Sequence, residues 1–488
     1  MFSSAQLSHW LELPLPNTLE QIEYRSLETD SRLVDQYSVF IALPGVTSNG
    51  WDYLEQVAEK GCTLALVPQG LQIVHDKISI IEVAGLEEVL GALVRQVYGP
   101  APEHIVAVTG TNGKSSTCFY IAQLANQIGF NSAMVGTFGI GPLDQLEEAK
   151  QTTPDLLTLH KLLSKFAQQG IDFVAFEASS HALDQKRLAG VPVTTAVFTN
   201  LTRDHLDYHG SMEQYAMAKS KLFGFSGLQR SVICIDSDYG QYMAEKSVAP
   251  VWTYSQGAGA DFSVVSKNYL QTGVQLELLL CGVTYEVFLP LLGGFNVQNA
   301  LAALASVWRV APSKGELVAA LANLNGAPGR MEPVKVTSAP LVLVDYAHTS
   351  DALDMALSAV RAHVPGRLIC VFGCGGDRDK GKRPMMLQAA QQYADEVWVT
   401  SDNPRSESPK AIIDEVLSGQ NLALSKQLHV VVDRSDAITK AVATAQPEDI
   451  VLIAGKGHET YQEVMGVRHH FDDREEALKA LNAYVKQS

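Results

Sequence analysis

Short apolar, β-branched runs alternate with longer amphipathic stretches along most of this chain. From residue 105 onward the runs have the length and composition of buried strands, and the stretches between them have helical periodicity. This alternation predicts a doubly wound α/β layout with a mainly parallel sheet. The predicted elements of this region are strands at Ser132–Gly136, Asp172–Glu177, Thr194–Thr199 and Ser231–Ile235, with a helix at Pro154–Gln169.

The same pattern divides the chain into three predicted domains, at 1–101, 102–331 and 332–488. Proline and glycine interrupt both periodicities at 98–102 and 327–330, so we place the boundaries there. The first domain is predicted to be a small α/β unit and the last a Rossmann-like one, while Thr272–Phe288 predicts an antiparallel ribbon. The predicted strands of the outer domains are Val39–Leu43, Thr63–Val67, Ile78–Val83, Leu341–Val344, Leu368–Phe372, Val397–Thr400, Leu428–Val432 and Ile450–Ala454, with helices near Asp52–Lys60 and Leu86–Tyr98.

Composition narrows the class of protein. The chain has 488 residues, of which 46% are hydrophobic and 18% charged, as in ordinary globular proteins. Its net charge of −16 disfavours broad binding to nucleic acid or to acidic membranes. The first ten residues lack the features of a signal peptide, and no uncharged apolar run reaches membrane-spanning length. We therefore expect a cytoplasmic protein without membrane insertion, whose six scattered cysteines are buried reduced thiols.

A glycine-rich loop carries the first chemical signal. The apolar run from Ile105 to Val108 leads into Thr109, Gly110, Thr111, Asn112, Gly113, Lys114, Ser115 and Ser116, and an amphipathic stretch to Gly129 follows. A strand, a glycine-rich turn and a helix N-terminus together bind phosphate. Lys114 is expected at the β/γ-phosphates and Ser115 at Mg²⁺. Val108 stands where the standard phosphate-loop spacing has glycine, so the loop is a variant of that pattern.

Further ionisable residues follow predicted strands. Glu177 ends one strand, and the segment 199–209 after the next one is rich in histidine and aspartate. A carboxylate at this edge beside a phosphate loop is well placed for a metal, although a solvated strand end would look the same. Lys219, on a helix after that segment, reads by itself as an ordinary surface lysine.

Taken together, these motifs resemble the Mur ligases, ATP-dependent amide-forming enzymes of peptidoglycan precursor synthesis. The resemblance runs in order through almost the whole chain. The segments that carry it are 29–32, 45–50, 110–116, 177–181, 204–207, 218–219, 294–300, 328–332, 345–349, 375–384, 402–405 and 455–459. It implies that ATP phosphorylates a substrate carboxylate and that an incoming amine attacks the acyl phosphate.

The resemblance also implies roles for individual residues. Lys114, Lys219, His205 and Arg330 would be catalytic, and Ser115, Glu177, His205 and Lys219 would hold Mg²⁺, with Lys219 as a carbamate. ATP would be bound by Gly110, Thr111, Asn112, Gly113, Lys114, Ser115, Ser116, Asn296, Asn299, Arg330 and Asp345. A UDP-N-acetylmuramoyl-L-alanyl-D-glutamate substrate would be contacted by Thr29, Ser31, Val46, Thr47, Ser48, Gln151, Thr152, Thr153, Ser179, Gln185 and Arg187.

The amino acid that is added is implied by a third set of residues. Arg378, Asp402, Asn403, Pro404, Arg405, Gly455 and Glu459 match the amino-acid pocket. Arg405 offers a planar, bidentate partner for the distal carboxylate of meso-diaminopimelate, which lysine lacks. This favours meso-diaminopimelate over lysine as the substrate, and the enzyme is expected to act as a monomer.

Three other interpretations stay open at this point. A ligase of the same superfamily that adds another amino acid, or a folylpolyglutamate-type synthase, would share the phosphate machinery. A P-loop phosphotransferase or a GTPase would also bind a nucleotide, but no Asn-Lys-x-Asp guanine motif follows the loop. A non-catalytic nucleotide-binding module would not need the second metal site implied by Glu177, His205 and Lys219.

Overall fold

The computed structural model describes residues 1–19, 22–45, 48–420 and 427–487. The chain forms two compact units. The first comprises Met1–Lys114, Gly129–Ile233 and Ser237–Val251, and the second comprises Ser115–Ile128, Cys234–Asp236 and Trp252–Ser488.

The first unit begins with a four-stranded parallel sheet. Its strands, in spatial order, are Ser26–Glu28, Ser38–Ile41, Leu64–Pro68 and Ser79–Val83. The predicted strands are confirmed within two residues, whereas the antiparallel pair Phe2–Ser3 and Glu23–Tyr24 was not predicted. The helices here are Ser4–Leu11, Leu54–Glu59 and Leu86–Tyr98, with 3₁₀ turns at Asn17–Leu19 and Gly50–Tyr53.

A second sheet of the first unit carries the phosphate loop. The neighbouring strands that this sheet has in the first unit are, in spatial order, Arg230–Cys234, Thr195–Phe198, His104–Thr109, Phe173–Glu177, Ser132–Gly136 and Gly139–Gly141. All pairs are parallel except the last. The loops that follow Thr109, Glu177 and Phe198 therefore leave the same edge of three adjacent strands. The helices are Leu156–Gln168, Ser180–Asp184, Leu206–His209, Met212–Ser220 and Gly240–Glu245, with a 3₁₀ turn at Lys221–Gly224.

The helix after the phosphate loop continues into the second unit. It spans Lys114–Gln127, so it begins three residues earlier than the sequence suggested. The second unit also contains the helices Gly294–Trp308 and Lys314–Ala320, a 3₁₀ turn at Leu321–Asn323 and the strand Val251–Ser255. The predicted antiparallel ribbon is confirmed, and it has three strands, Phe262–Leu270, Gly273–Leu280 and Val283–Leu289.

The rest of the second unit is built on a six-stranded sheet. Its strands, in spatial order, are Glu332–Val334, Leu341–Asp345, Ile450–Ala454, Leu368–Cys374, Glu396–Ser401 and Gln427–Val430. The short first strand is antiparallel and the others are parallel. Helices pack on both faces of this sheet. Alternate residues of one strand, such as Leu343 and Val344, therefore belong to different hydrophobic clusters. The other elements are the helices Ser350–Arg361, Lys382–Tyr393, Pro409–Leu417, Arg434–Thr444 and Asp473–Gln487, and the hairpin Tyr461–Val464 and Val467–His470.

This architecture confirms the predicted α/β class, and all five strands predicted beyond residue 331 are present. The expectation for the cysteines needs one correction. All six are free thiols and five are buried, but Cys281 is exposed in the turn between two ribbon strands, where its φ is 49°. None of the helices in the part of the chain that the structure describes is both long and apolar enough to cross a bilayer.

Candidate functional site

The phosphate loop is anchored by the segment that follows the neighbouring strand Thr195–Phe198. The backbone N–H of Thr111 donates to the Asn200 carbonyl (2.8 Å), and that of Asn112 donates to Asn200 Oδ1 (2.9 Å). Thr199 Oγ1 donates to the carbonyl of Asn112 at 2.6 Å. At Gly110, where φ is 151°, a Cβ would overlap Thr199 Oγ1, so no larger residue fits. The loop conformation is therefore set before any ligand binds.

Thr199 and Asn200 were not among the predicted site residues. A signal was present in the sequence, because both directly follow the strand adjacent to the phosphate-loop strand in the sheet. Only the parallel pairing of those two strands shows that they reach the loop.

Lys114 begins the helix after the loop, and its ammonium group folds back over the loop. Its Nζ donates to the carbonyls of Gly110 (2.9 Å) and Thr111 (2.7 Å). Ser115 and Ser116 lie in the first helical turn and are half-buried. The turn therefore presents a cation, two hydroxyls and the N–H groups of a helix N-terminus in one place, the donor set that binds anionic oxygens.

Lys219 is buried, with 1% of its surface exposed, so the surface-lysine interpretation is wrong. Its Nζ donates to the Gly110 carbonyl at 2.8 Å and lies 4.5 Å from the centre of the Tyr215 ring. Burial, reinforced by repulsion from Lys114, holds the pKa of Lys219 well below its ordinary value, although Asp204 opposes the shift. An amine of this kind spends more time neutral and nucleophilic than a surface lysine.

Glu177 and His205 provide possible metal ligands at the same sheet edge. Glu177 is 1% exposed, and its Oε1 accepts a hydrogen bond from the Thr137 N–H at 2.6 Å. A Cβ on Gly136 would overlap that oxygen, so a larger residue there would displace the Glu177 carboxylate. Within the described ranges no residue donates to Glu177 Oε2, which leaves one oxygen of this carboxylate available to a cation. His205 is half-exposed in the left-handed conformation (φ 51°), with its ring 5.0 Å from that of His181.

Ser115 and Glu177 offer the oxygen ligands that Mg²⁺ prefers, whereas His205 offers a ring nitrogen. No group of three or more His, Cys, Asp or Glu residues within the described ranges is arranged to hold a metal. The predicted metal ligands include only two residues of these types, Glu177 and His205. The other two are Ser115 and Lys219. The lysine would supply oxygen only as a carbamate.

Several residues predicted for the nucleotide-sugar substrate form one hydrogen-bonded network in the first unit. The Arg187 guanidinium donates to Gln151 Oε1 (2.9 Å), to Gln185 Oε1 (2.9 Å) and to the carbonyl of Thr153 (3.2 Å). Thr153 Oγ1 in turn donates to the Glu177 carbonyl and accepts from the Ser179 N–H. The network thus connects this predicted set to the strand end that carries Glu177.

A cavity of about 330 Å³ adjoins this network. Thr29, Gln185 and Arg187 line it, together with Lys186. The other predicted contacts have partners elsewhere: Ser31 donates to Gln56, Thr152 pairs with Thr137, and Ser48 pairs with Tyr53. Val46 and Thr47 lie outside the described residues.

Asn296 and Asn299, predicted near the adenine, lie in the first turns of the helix Gly294–Trp308 and are nearly buried. Asn296 Oδ1 accepts from the Tyr120 hydroxyl (3.0 Å) while its Nδ2 donates to the Leu292 carbonyl (2.8 Å). Asn299 Oδ1 accepts from Thr117 Oγ1 at 3.4 Å. Both amides therefore also join this helix to the one that follows the phosphate loop.

Arg330 and Asp345 lie where the chain enters the six-stranded sheet. The Arg330 guanidinium lies 5.0 Å from the centre of the Tyr346 ring. The two carboxylate oxygens of Asp345 accept from the N–H groups of Met331 and Ala347, both at 2.8 Å. Burial raises the pKa of Asp345. In this structure Asp345 thus connects the segment at Met331 to the segment at Ala347. Its contact with the ribose stays a prediction.

The predicted amino-acid residues surround a cavity of about 340 Å³ at the carboxyl ends of the six-stranded sheet. Arg378, Arg405 and Lys382 place positive charge on it, and Asp402 and Glu459 place negative charge. The predicted residues on its wall are Arg378, Asp402, Asn403, Arg405, Gly455 and Glu459. Pro404 lies behind the wall, where its carbonyl leaves no room for a Cβ on Gly376. The cavity suits a zwitterionic ligand.

Comparison with known proteins places the chain. The description "Mur ligase middle domain" matches residues 108–307, and "Mur ligase, glutamate ligase domain" matches residues 329–457. This chain belongs to the Mur ligase family. Relatives named UDP-N-acetylmuramoyl-L-alanyl-D-glutamate–2,6-diaminopimelate ligase include one from Xanthomonas oryzae pv. oryzae (strain MAFF 311018), 43% identical over 99% of this chain and 98% of the relative. Another, from Ectopseudomonas mendocina (strain ymp), is 40% identical over 96% and 97% of the two chains.

A solved structure of a protein with the same name matches with a TM-score of 0.80 at 37% identity, over 98% of both chains. The Mur ligase fold thus extends through both compact units. Within each unit the fold brings predicted site residues together, although they are far apart in sequence.

Proposed function

We infer that this chain is an ATP-dependent ligase that joins 2,6-diaminopimelate to UDP-N-acetylmuramoyl-L-alanyl-D-glutamate and releases ADP and phosphate. One observation carries the inference beyond the family. The cavity of the six-stranded sheet is lined by both arginines and carboxylates, as a diamino dicarboxylic acid requires. Relatives with this activity in their names match nearly the full length of the chain.

The reaction has two steps. The substrate carboxylate attacks the γ-phosphorus of ATP, forming an acyl phosphate and releasing ADP. The neutral amine of the amino acid then attacks the acyl carbon, the amide bond forms, and phosphate leaves with its electron pair while the amine gives up a proton. The phosphate loop and Lys114 bind and orient the triphosphate. During the first step negative charge increases on the triphosphate.

We propose that Mg²⁺ neutralises this charge when it is bound. Ser115 would hold one ion at the β/γ-phosphates, and Glu177, His205 and Lys219 would hold a second. Lys219 can serve only if its amine has reacted with CO₂ to form a carbamate, which forms a C–N bond and releases one proton. Its lowered pKa supports this, because only the neutral amine attacks CO₂.

For the remaining substrates we propose the roles implied by the sequence. Asn296 and Asn299 lie at the adenine, Asp345 at the ribose and Arg330 at the phosphates. The nucleotide-sugar dipeptide occupies the cavity beside Thr29, Gln185 and Arg187. In the other cavity, Arg405 binds the distal carboxylate of the meso isomer of diaminopimelate, and Glu459 accepts from its distal ammonium. Lysine, lacking that carboxylate, would leave the cation of Arg405 unpaired.

At the level of the whole protein, the proposed division is an N-terminal UDP-sugar-binding domain at 1–101, an ATP-binding domain at 102–331 and an amino-acid-binding domain at 332–488. We further propose that the enzyme is a cytoplasmic monomer whose partners are small molecules.

Phosphate release tests the proposed function. The purified protein is given ATP, Mg²⁺ and UDP-N-acetylmuramoyl-L-alanyl-D-glutamate, with either meso-diaminopimelate or L-lysine. We expect release that requires all substrates and is at least tenfold faster with diaminopimelate. Lys114→Ala is the matched negative control, because it removes a phosphate-binding cation without opening a core. Release that is independent of the amino acid, or faster with lysine, would contradict the assignment.

A further inference from the structure

A fully buried ammonium group lies beneath the amino-acid cavity. Lys456 has no exposed surface, and its Nζ lies 3.7 Å from Asp402 Oδ1 and 3.6 Å from Glu459 Oε2. Both carboxylates belong to residues that line the cavity, whereas Lys456 does not. A buried charge is tolerated only when it is paired, so these three groups form one electrostatic unit.

The same ammonium sets the orientation of an amide on the cavity wall. Lys456 Nζ donates to Asn403 Oδ1 at 3.2 Å, and the Glu463 N–H donates to the same oxygen at 2.9 Å. Asn403 Nδ2 must then face the other way, and it donates to Glu459 Oε2 at 2.9 Å. Lys456 thus holds Glu459 in place directly and through Asn403.

The charges of the cluster formed by Lys456, Asp402 and Glu459 add to a single negative charge. Asp402 and Glu459 contribute two carboxylates, and Lys456 cancels one of them. The distal end of diaminopimelate has one ammonium group to place there, and its carboxylate goes to the arginines. Without Lys456 the acceptor side would carry two uncompensated carboxylates, which would repel a dicarboxylic acid and favour a more cationic ligand.

We propose that Lys456 is a positioning residue that determines amino-acid specificity, by limiting the acceptor side of the cavity to one negative charge and fixing Asn403 and Glu459. This inference rests on the proposed function and adds to it a residue outside the predicted contact set. It differs from a purely structural role for Lys456, which would make loss of the ammonium equally harmful to every amino acid.

The test compares Lys456→Met with Lys440→Met, an equal substitution in an exposed ion pair with Asp436. For Lys456→Met we expect the KM for diaminopimelate to rise at least tenfold, while the KM for ATP and for the nucleotide-sugar dipeptide stays within about twofold. The ratio of kcat/KM for diaminopimelate to that for lysine is expected to fall at least tenfold. Lys440→Met is expected to match the wild type in every constant.

The proposal would be overturned if Lys456→Met kept the wild-type preference for diaminopimelate over lysine. It would also be overturned if the KM values for diaminopimelate, ATP and the nucleotide-sugar dipeptide rose equally. Lys456→Arg keeps the test decisive if the methionine variant does not fold. It retains the charge but not the shape, so the KM for diaminopimelate is expected to rise while the preference over lysine stays within about threefold. Loss of that preference would also overturn the proposal. If the wild-type protein showed no activity with diaminopimelate, that result would instead contradict the proposed function.

Discussion

Lys219 has the surroundings of an amine that loses its proton easily. It is buried, and it shares the Gly110 carbonyl with a second ammonium group, that of Lys114. Burial and the repulsion from Lys114 make a permanently charged Lys219 costly. They favour a modification that converts the side chain into a metal-binding anion.

Replacing Lys219 tests this interpretation. Lys219→Ala is expected to lose at least 100-fold in kcat, because the proposed second metal loses a ligand. A short-chain carboxylic acid added at millimolar concentration is expected to restore part of the activity by occupying the vacated space. The rate of phosphate release measures both effects, and a variant with near-wild-type activity without the acid would contradict the carbamate.

Arg405, a cation on the wall of the same cavity, provides a second test of the choice of amino acid. Its guanidinium donates to the Gly376 carbonyl at 2.7 Å, and its backbone is held in the left-handed region (φ 49°) between the Glu463 carbonyl and the Met465 N–H. Arg405→Ala is expected to lower kcat/KM for diaminopimelate. The fall corresponds to a loss of about 2–4 kcal/mol of transition-state stabilisation, because a charge-assisted pair is removed. Activity with lysine is expected to stay level or rise.

Steady-state kinetics with each amino acid measure this difference, and the KM for ATP serves as the internal control. It is expected to stay unchanged, because Arg405 lies on a different sheet from the phosphate loop. Full retention of the preference for diaminopimelate would place the determinant of specificity outside Arg405.

At the scale of elements, the ends of parallel strands determine where the site residues lie. The strands Glu396–Ser401 and Ile450–Ala454 both end beneath the amino-acid cavity, and the next residues are Asp402 and Gly455. Buried Arg434 joins the two ends, since its guanidinium donates to the carbonyls of Ser401 (3.3 Å) and Ala454 (3.0 Å). This connection adds to the pairing of both strands with Leu368–Cys374, which lies between them in the sheet.

Arg434 also forms a two-point ion pair with Asp473, and neither side chain has any exposed surface. Arg434→Met is expected to destabilise the protein by about 3–5 kcal/mol, because it leaves a buried carboxylate without its partner. Urea-induced unfolding measures the change. Adding Asp473→Leu to that variant removes the unpaired charge and is expected to recover more than half of the loss; a double variant no more stable than Arg434→Met would contradict this explanation.

At the scale of the whole molecule, His363 joins segments that are remote in the chain. Its Nε2 accepts from the Gly293 N–H (2.8 Å), so Nδ1 carries the proton and donates to the Leu270 carbonyl (2.7 Å). Only the neutral imidazole can make both bonds. Burial lowers the pKa of His363 below its ordinary value of 6.5.

The sign of the pH dependence follows from that shift. The unfolded chain binds a proton at His363 more tightly than the folded protein, so this contribution to stability is present above about pH 6.5 and is lost progressively as the pH falls below that value through the lower pKa of the folded state. His363→Leu is expected to cost about 1–3 kcal/mol at pH 7.5 from two unpaired backbone groups. Thermal melting at pH 7.5 and 5.5 is expected to show a smaller acid-induced drop in the variant than in the wild type; parallel curves would exclude the role of His363.

Local signals explain the part of the fold that the sequence predicted. Strand Ile450–Ala454 and helix Leu86–Tyr98 were located at their observed bounds, because burial and helical periodicity are written in neighbouring residues. The antiparallel strand at Phe2–Ser3 was missed since two residues contain no readable period, and its existence depends on pairing with Glu23–Tyr24.

The sequence by itself determined the order of the elements, the phosphate loop and the residue types available for chemistry, because each depends on residues adjacent in the chain. Only the tertiary structure decided that Lys219 is buried against Gly110, that Asn200 holds the phosphate loop, and that Lys456 lies between Asp402 and Glu459. Those outcomes depend on contacts between distant segments. Burial and charge pairing are properties of the packed interior, and no local pattern carries them.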